Sequence, residues 1–381
     1  TVPNDPINSA AGDALRRGCE LRCPGCAHRR LSARSSEDRK LAWLSERLAD
    51  WAERIRPLQA VDGEARWAYR DRVCLKCEWR DGAWQIGMNL GDEVIAIADC
   101  PVHSPRVTAT LHALLDSLPG ADGFPLAYFV QSGAQVTLVL KTDRLPDPAW
   151  LHENVKARLH NAGVEGLWLH LHPAVGRKIF NKPGWHLLWG QARSLDGHGL
   201  AYGPIGFQQL IPALYQRALD AAQAHLRPSA DAIMIDLYSG SGATLRRWSQ
   251  NACPAVGVEL GAQAWECAAV NAPAATTLRG SCAQRLPQLD AWAEQSGHHN
   301  KTRLLFANPP RTGLEQAVGD WICHRYRPRR LAYLSCSAGT LHRDLSMLTA
   351  NDYSVEAIIP YDFFPHTYHL ETLTLLEDNG D

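Results

Sequence analysis

The chain has 381 residues, 45% of them hydrophobic and 21% charged, which at about 150 residues per domain suggests two or three cores. Thirty-nine Lys and Arg against 40 Asp and Glu leave a formal charge of −1, which excludes a protein that coats nucleic acid by charge alone but leaves room for a local basic patch. No apolar run approaches the ~20 residues of a membrane helix and no secretory signal is readable, so the expectation is a soluble cytoplasmic protein without a membrane partner.

In chain order, TVPNDPINSAAG is turn-forming and reads as frayed. RGCELRCPGCAHRR follows, with thiols at Cys19, Cys23 and Cys26. In LSARSSEDRKLAWLSERLADWAERI, the spacing of Leu41, Leu44, Leu48 and Trp51 predicts an amphipathic helix. The stretch RWAYRDRVCLKCEWRDGAWQIGMN alternates about Asp81-Gly82 and predicts a hairpin, with EVIAIADC as a further strand. LAYFVQ, QVTLVLK, LWLHLHP and GWHLLWG read as strands of a β-rich middle domain with one intervening helix. The eleven cysteines fall into two groups, Cys19–Cys100 and Cys253–Cys336, which hints at separate jobs.

From residue 206 strands and helices alternate. FQQLIPALYQRALDAAQAHL is helical, AIMIDLYSGSGATLRRW is strand, glycine turn and helix, and PAVGVELGAQAWECAAVNA repeats that unit. TRLLFANPPRTG, RRLAYLSCSAGTLHRDL and YSVEAIIPYDFFPHTYHLETLTLLE complete a doubly wound α/β pattern with its ligand at the carboxyl ends of the strands. The expected domains are 1–105, a cysteine-bearing region; 106–205, β-rich; and 206–381, Rossmann-like. In Asp236-Leu-Tyr238-Ser-Gly240-Ser-Gly242 the glycines let the backbone turn tightly against a ligand. Glu259 ends the next strand, where a carboxylate can accept from both ribose hydroxyls. Leu245 stands where the G-x-G-x-x-G fingerprint needs a third glycine. With Asn308-Pro309-Pro310 at a later strand end, the pattern favours S-adenosylmethionine.

Taken together, several segments resemble the RNA uracil-C5 methyltransferases that carry an iron–sulfur cluster. They are GFQQ, DLYSGSG, ANPPRTG, LSCSAGTLHRDL and FFPHTYHLETLTLL, in the family's order. Asn308 opening the Pro-Pro-Arg loop, and an expected lack of an extra N-terminal β-barrel (a TRAM domain), resemble the branch acting on 23S rRNA; tRNA is the alternative substrate. The resemblance implies a class I methyltransferase domain, a central RNA-binding domain over 106–205 and an iron–sulfur segment before it. It also implies Cys336 as the nucleophile that attacks uracil carbon 6 and Glu371 as the base that removes the carbon 5 proton. Gln208, Tyr238, Gly240, Glu259 and Asn308 would hold S-adenosylmethionine. Arg311 and His366 would contact the target nucleotide or order its loop, and the target base must leave its stack to be reached.

The cysteines Cys19, Cys23 and Cys26 offer three soft ligands, and the family's Cys-Pro element makes Cys100 the fourth. Four thiolates suit either a 4Fe–4S cluster or zinc by spacing; the resemblance selects 4Fe–4S. A rival pairing of Cys23 and Cys26 with Cys74 and Cys77 leaves a gap well beyond the ~15–20 residues of a zinc ribbon. Cys74 and Cys77, at i and i+3 of a strand, would also face opposite ways. Ser337 stands in place of the family's Asn, Leu210 in place of another Asn, and Ser281 or Cys282 in place of an Asp near the adenine. Arg29, Arg30, Arg34, Arg39 and Lys40, with Tyr69, Arg70 and Arg72, predict a local RNA-binding face. The expected protein is a monomer. Besides tRNA, the alternatives are an amino-group methyltransferase, disfavoured because Arg311 is not aromatic, and a catalytically retired RNA-binding factor.

Overall fold

The computed structural model describes residues 15–176 and 178–380, so the turn-forming first dozen residues lie outside it. Two compact units divide the chain: one comprises residues 15–31 and 62–210, the other 32–61 and 211–380. Helix α1 (Ala33–Arg47), which follows the cysteine-rich segment in sequence, belongs to the second unit.

In the first unit the alternating stretch forms β1 (Arg72–Arg80), β2 (Ala83–Leu90) and β3 (Glu93–Ala96). Asp81 and Gly82 take positive φ of 53° and 77°, the left-handed pair that a tight hairpin turn demands. Helix α2 (Pro105–Leu115), β4 (Leu126–Ser132), β5 (Gln135–Leu140), α3 (Glu153–Asn161), β6 (Gly166–Leu171) and β7 (Trp185–Gly190) follow. A short pair, β8 (Ser194–Leu195) and β9 (Ala201–Tyr202), ends the unit. The seven longer strands order β3-β2-β1-β4-β5-β6-β7. One face buries Val73, Leu75, Ile86 and Phe129 against Val107 and Leu111 of α2 and Val155 and Leu159 of α3. The boundary expected at 105/106 falls inside this sheet. Strand β1 pairs with β4 (Cys74↔Val130), so the cysteine-bearing strands and the middle region bury one common core.

The second unit continues with α4 (Pro212–Leu226), β10 (Ala232–Leu237), α5 (Ala243–Ser249), β11 (Ala255–Glu259), α6 (Ala262–Asn271) and β12 (Thr276–Arg279). Then come α7 (Cys282–Glu294), β13 (Thr302–Ala307), α8 (Gln316–Trp321), β14 (Arg330–Ser335), α9 (Ala338–Thr349), β15 (Tyr353–Tyr361) and β16 (Glu371–Asp378). The strand order is β12-β11-β10-β13-β14-β16-β15. The first five are parallel, and β10, β11, β13 and β14 among them are near-continuously apolar, as strands covered on both faces must be. Strand β16 inserts antiparallel between β14 and β15. The order reverses at β10, which opens a crevice at the carboxyl ends of β10 and β13.

Helix α1 differs from its predicted stripe in one respect. Its buried positions are Ser36, Lys40 and Leu44, continued by Leu48, an i, i+4 ladder with a lysine in the middle. Lys40 and Asp362 are both 0% exposed; Lys40 Nζ donates to Asp362 Oδ1 at 2.7 Å and to the Phe364 carbonyl at 3.1 Å. The expectation that Lys40 faces RNA is therefore corrected: its charge is spent on a buried carboxylate. Arg29 is likewise engaged, donating to the carbonyls of Cys23 and Leu21. The predicted basic run is also split between the two units, Arg29 and Arg30 in the first and Arg34, Arg39 and Lys40 in the second. Replacing Lys40→Met should remove the buried cation that pairs with Asp362 and lower the unfolding free energy by about 3–5 kcal/mol in urea titration, whereas Lys40→Met/Asp362→Leu should recover most of that loss. Equal stability of the single variant and the wild type would contradict the pairing.

Candidate active site

The crevice is built first by the turn after β10. Tyr238 (φ 62°), Gly240 (φ 56°) and Gly242 (φ 85°) all lie in the left-handed region. For Tyr238 this is a strained conformation, held because flanking backbone is fixed: Ser239 N–H donates to the Val258 carbonyl at 3.0 Å and Gly242 N–H to the Ser239 carbonyl at 3.0 Å. A side chain at Gly242 would stand 2.8 Å from Ala268 Cα, so this glycine allows α6 to close on the turn. At Gly240 nothing lies within 4 Å of the same point, so the backbone there is an open cradle.

Glu259, the last residue of β11, accepts from Gly240 N–H at 2.9 Å and Gly261 N–H at 2.6 Å, which fixes its carboxylate at the mouth. Beneath the turn, Asp236 is fully buried, and its Oδ2 accepts from the Thr244 hydroxyl at 2.7 Å and Trp248 Nε1 at 2.9 Å. Burial pushes that carboxyl up to about 7 despite the two donors. Half-buried Asn308 follows β13, anchored by its N–H on the Leu237 carbonyl at 3.3 Å. Thus Tyr238, Gly240, Glu259 and Asn308 share one edge of the sheet. Gln208 is half-buried in the first unit, beside an exposed Phe207 whose ring lies 5.3 Å from the Arg72 guanidinium.

The second group lies where β14 ends. Cys336 is exposed and sits in a tight turn: the Ser335 hydroxyl donates to the Ser337 carbonyl at 3.0 Å and accepts from Ser337 N–H at 3.1 Å. The antiparallel register Ser335↔Thr372 sets the start of β16, and with it the buried Glu371, at the same edge. Desolvation pushes the Cys336 thiol above its ordinary value and the charge of Glu371 pushes the same way. The Arg311 guanidinium opposes both by its charge and a hydrogen bond. His366 is buried in the turn before β16 at φ 67°.

Helix α9 holds this arrangement, a role that residue types alone did not reveal. The Thr340 hydroxyl lies 3.1 Å from the Arg311 carbonyl and 3.2 Å from that of Ser337, so it joins the Arg311 loop to the cysteine turn. Asp344 Oδ2 accepts from Leu314 N–H at 2.9 Å and from the Tyr333 hydroxyl at 2.6 Å. Arg343 donates to the carbonyls of Thr312 and Leu314 while pairing with Asp344. Gly313, at φ 75°, leaves room for both side chains. The departures from the family pattern also find places. The Ser281 hydroxyl caps α7 by accepting from Gln284 N–H at 3.2 Å, and Cys282 is buried in the core.

In the first unit, Cys19, Cys23, Cys26 and Cys100 influence one another electrostatically. Burial pushes the Cys26 thiol up to about 12, with Cys100, Cys23 and Cys19 adding to the rise; Cys100 is raised by burial and by Cys23 and Cys19. Among the described residues no three His, Cys, Asp or Glu side chains converge at metal-binding distance. Cys74 is exposed and Cys77 buried, on opposite faces of β1.

Residues 296–379 match the family described as tRNA (Uracil-5-)-methyltransferase. An uncharacterized RNA methyltransferase of Thermosynechococcus vestitus is 27% identical over 96% of this chain and 85% of its own length. A Salmonella choleraesuis protein named 23S rRNA (uracil(1939)-C(5))-methyltransferase is also 27% identical, over 93% of this chain and 80% of its own. Among solved structures, the Pyrococcus abyssi tRNA (uracil-54, C5)-methyltransferase in complex with S-adenosyl-L-homocysteine superposes with a TM-score of 0.67. It is 20% identical, over 93% of this chain and 86% of that one. That structural likeness establishes a shared fold.

The opposing charges around the thiol give an expected outcome. Arg311→Gln should raise the Cys336 pKa and slow its alkylation by iodoacetamide several-fold at pH 8, and Glu371→Gln should lower the pKa and speed it. Mass spectrometry of the Cys336 peptide across a pH series measures both, and identical profiles in the two variants would refute the assignment.

Proposed function

We propose that this chain is an RNA uracil-C5 methyltransferase that transfers a methyl group from S-adenosylmethionine to carbon 5 of a uridine in 23S rRNA through a Cys336 adduct. The observation that carries the mechanism is the strand register that brings an exposed thiol and a buried carboxylate to one sheet edge, with an arginine whose charge and hydrogen bond favour the thiolate. Asn308 and the relatives named for 23S rRNA support that RNA as substrate.

S-adenosylmethionine supplies an electrophilic methyl on a sulfonium. The residues present fit it: the open cradle at Gly240 admits a ligand against the backbone, Glu259 can accept from ribose hydroxyls, and Tyr238 and Asn308 flank the crevice. The Cys336 thiolate, favoured by Arg311, adds to carbon 6 of the uracil, forming a carbon–sulfur bond and moving an electron pair onto the carbon 4 oxygen. Carbon 5 then takes the methyl group as the methyl–sulfonium bond breaks. Glu371, kept dry by its burial, removes the carbon 5 proton; the carbon–sulfur bond breaks and the thiolate returns. His366 lines the turn before the base and would order the flipped nucleotide.

Cys19, Cys23, Cys26 and Cys100 would hold a 4Fe–4S cluster. The donor chemistry fits: four half-buried thiols are the soft ligands that such a cluster takes. Since the methyl transfer moves no electrons, the cluster's part is structural, tying residues 19–26 to the end of the β-sheet core where Cys23 and Cys100 pack. Such a cluster and such a substrate place the enzyme in the cytoplasm. The first unit carries RNA recognition.

Nucleoside mass spectrometry of separated 23S rRNA and tRNA, from cells with and without the gene, tests the substrate. The 23S pool should lose 5-methyluridine; loss from tRNA alone would keep the chemistry and replace the substrate. Cys336→Ala should abolish turnover while RNA binding persists, and Glu371→Gln should accumulate a covalent protein–RNA complex on denaturing gels. Anaerobically purified protein should be brown, with about four iron and four sulfide per chain; a colourless protein with stoichiometric zinc would overturn the cluster.

A further inference from the structure

Between Glu165 and Asp196 the sequence contains no aspartate or glutamate, in a chain that has 40 of them. The same stretch carries Arg177, Lys178, Lys182 and Arg193, three histidines, three tryptophans and Phe180. An acid-free run of this length in a chain of net charge −1 concentrates positive potential in one place. Its described residues form β6, the connection that follows, and β7, which among the described residues is the edge strand and pairs with β6.

The connection is shaped rather than loose. Leu171 N–H donates to the Gly184 carbonyl at 2.8 Å and Val175 N–H to the His172 carbonyl at 3.0 Å. Gly184, at φ 90°, abuts the Leu171 carbonyl so closely that a side chain there would collide with it. Half-buried Phe180 stacks on half-buried Trp185, with ring centroids 5.3 Å apart and planes 24° from parallel. Trp185 in turn lies 4.3 Å from the fully buried His170 ring. His170, held neutral by burial that pulls it to about 4, accepts from Asn181 N–H at 3.2 Å, and Trp185 Nε1 donates to the Asn181 carbonyl at 3.3 Å. Two aromatic rings are thus fixed from below, while Lys178, Lys182 and His186 are exposed around them.

We propose that residues 178–186 form an RNA-contacting ridge: Lys178 and Lys182 meet backbone phosphates, and Phe180 with Trp185 offers a stacking face to an unpaired base. The combination of a basic edge with rigid aromatic rings suits single-stranded nucleic acid, in which exposed phosphates and splayed bases occur together. This surface rests on the RNA substrate proposed above and adds a contact remote in sequence from the catalytic residues.

The test is fluorescence anisotropy of the full chain with labelled transcripts, tiled 23S rRNA fragments and an unmodified tRNA, over a series of KCl concentrations. Lys178→Ala/Lys182→Ala should weaken binding about tenfold at moderate salt and flatten the slope of log Kd against log salt by roughly 1.5, the release expected for two phosphates. Phe180→Leu should weaken binding about fivefold or more while leaving the salt slope unchanged, because stacking releases no counterion. Circular dichroism and melting temperature establish that both variants are folded. Wild-type affinity and slope in the lysine variant would overturn the ridge while leaving the methyltransferase reading intact; wild-type affinity in Phe180→Leu alone would overturn its stacking face. A wild-type chain that binds and methylates none of these RNAs overturns both readings.

Discussion

Everything chemical in the second unit depends on the register of one antiparallel strand. A purely parallel sheet would deliver strand ends to the crevice only by crossover connections. Strand β16 instead enters between β14 and β15 in the reverse direction, so its first residue stands at the edge where β14 finishes. With Ser335 opposite Thr372, the chain leaves β14 into Cys336 at the place where it enters β16 from Glu371. A one-residue slip would turn Glu371 to the other face of the sheet, because side chains alternate along a strand. The buried pair Lys40–Asp362, with the Lys40 bond to Phe364, holds the turn that precedes β16 and so helps to set that register.

The environment of Cys336 follows from opposed requirements. A nucleophile must be accessible and at least partly ionised, whereas a base that removes a carbon-bound proton works best away from water. The fold meets both by exposing the thiol in a turn and burying the carboxylate at a strand start. Their charges conflict, and Arg311 relieves the conflict. Helix α9 then fixes the distance, since Thr340, Arg343 and Asp344 all bind the backbone of the loop that carries Arg311. The segment from Cys336 to Asp344 is therefore one device, with the exposed thiol in a turn and the loop clamp on the helix that follows it.

The two groups of cysteines occupy different units and different chemistry. Cys253, Cys267, Cys282 and Cys323 are buried in the second unit as small apolar side chains, and Cys336 alone of that group is exposed. In the first unit Cys19, Cys23, Cys26 and Cys100, from two distant stretches of chain, influence one another electrostatically. The same unit contains the acid-free run on an edge strand, so these four cysteines and the basic stretch belong to one unit.

Much of this was legible without coordinates. Period-two alternation about Asp81-Gly82 and the strand–glycine–helix repeats are local signals, and local signals fix elements. The motifs around Tyr238, Asn308 and Cys336 are short segments whose spacing survives any tertiary detail. Pairings between distant parts of the chain were not legible. Lys40 reads as one more solvated cation because its partner, Asp362, is over three hundred residues away, and only burial reveals that the charge is matched. That β1 and β4, on either side of the expected boundary at 105/106, bury a common core was hidden for a related reason: neither strand announces the pairing by itself. Composition and motif determined the fold class and named the candidate residues. Tertiary structure decided which of those residues meet, because register and burial are properties of pairs, and a sequence lists residues one at a time.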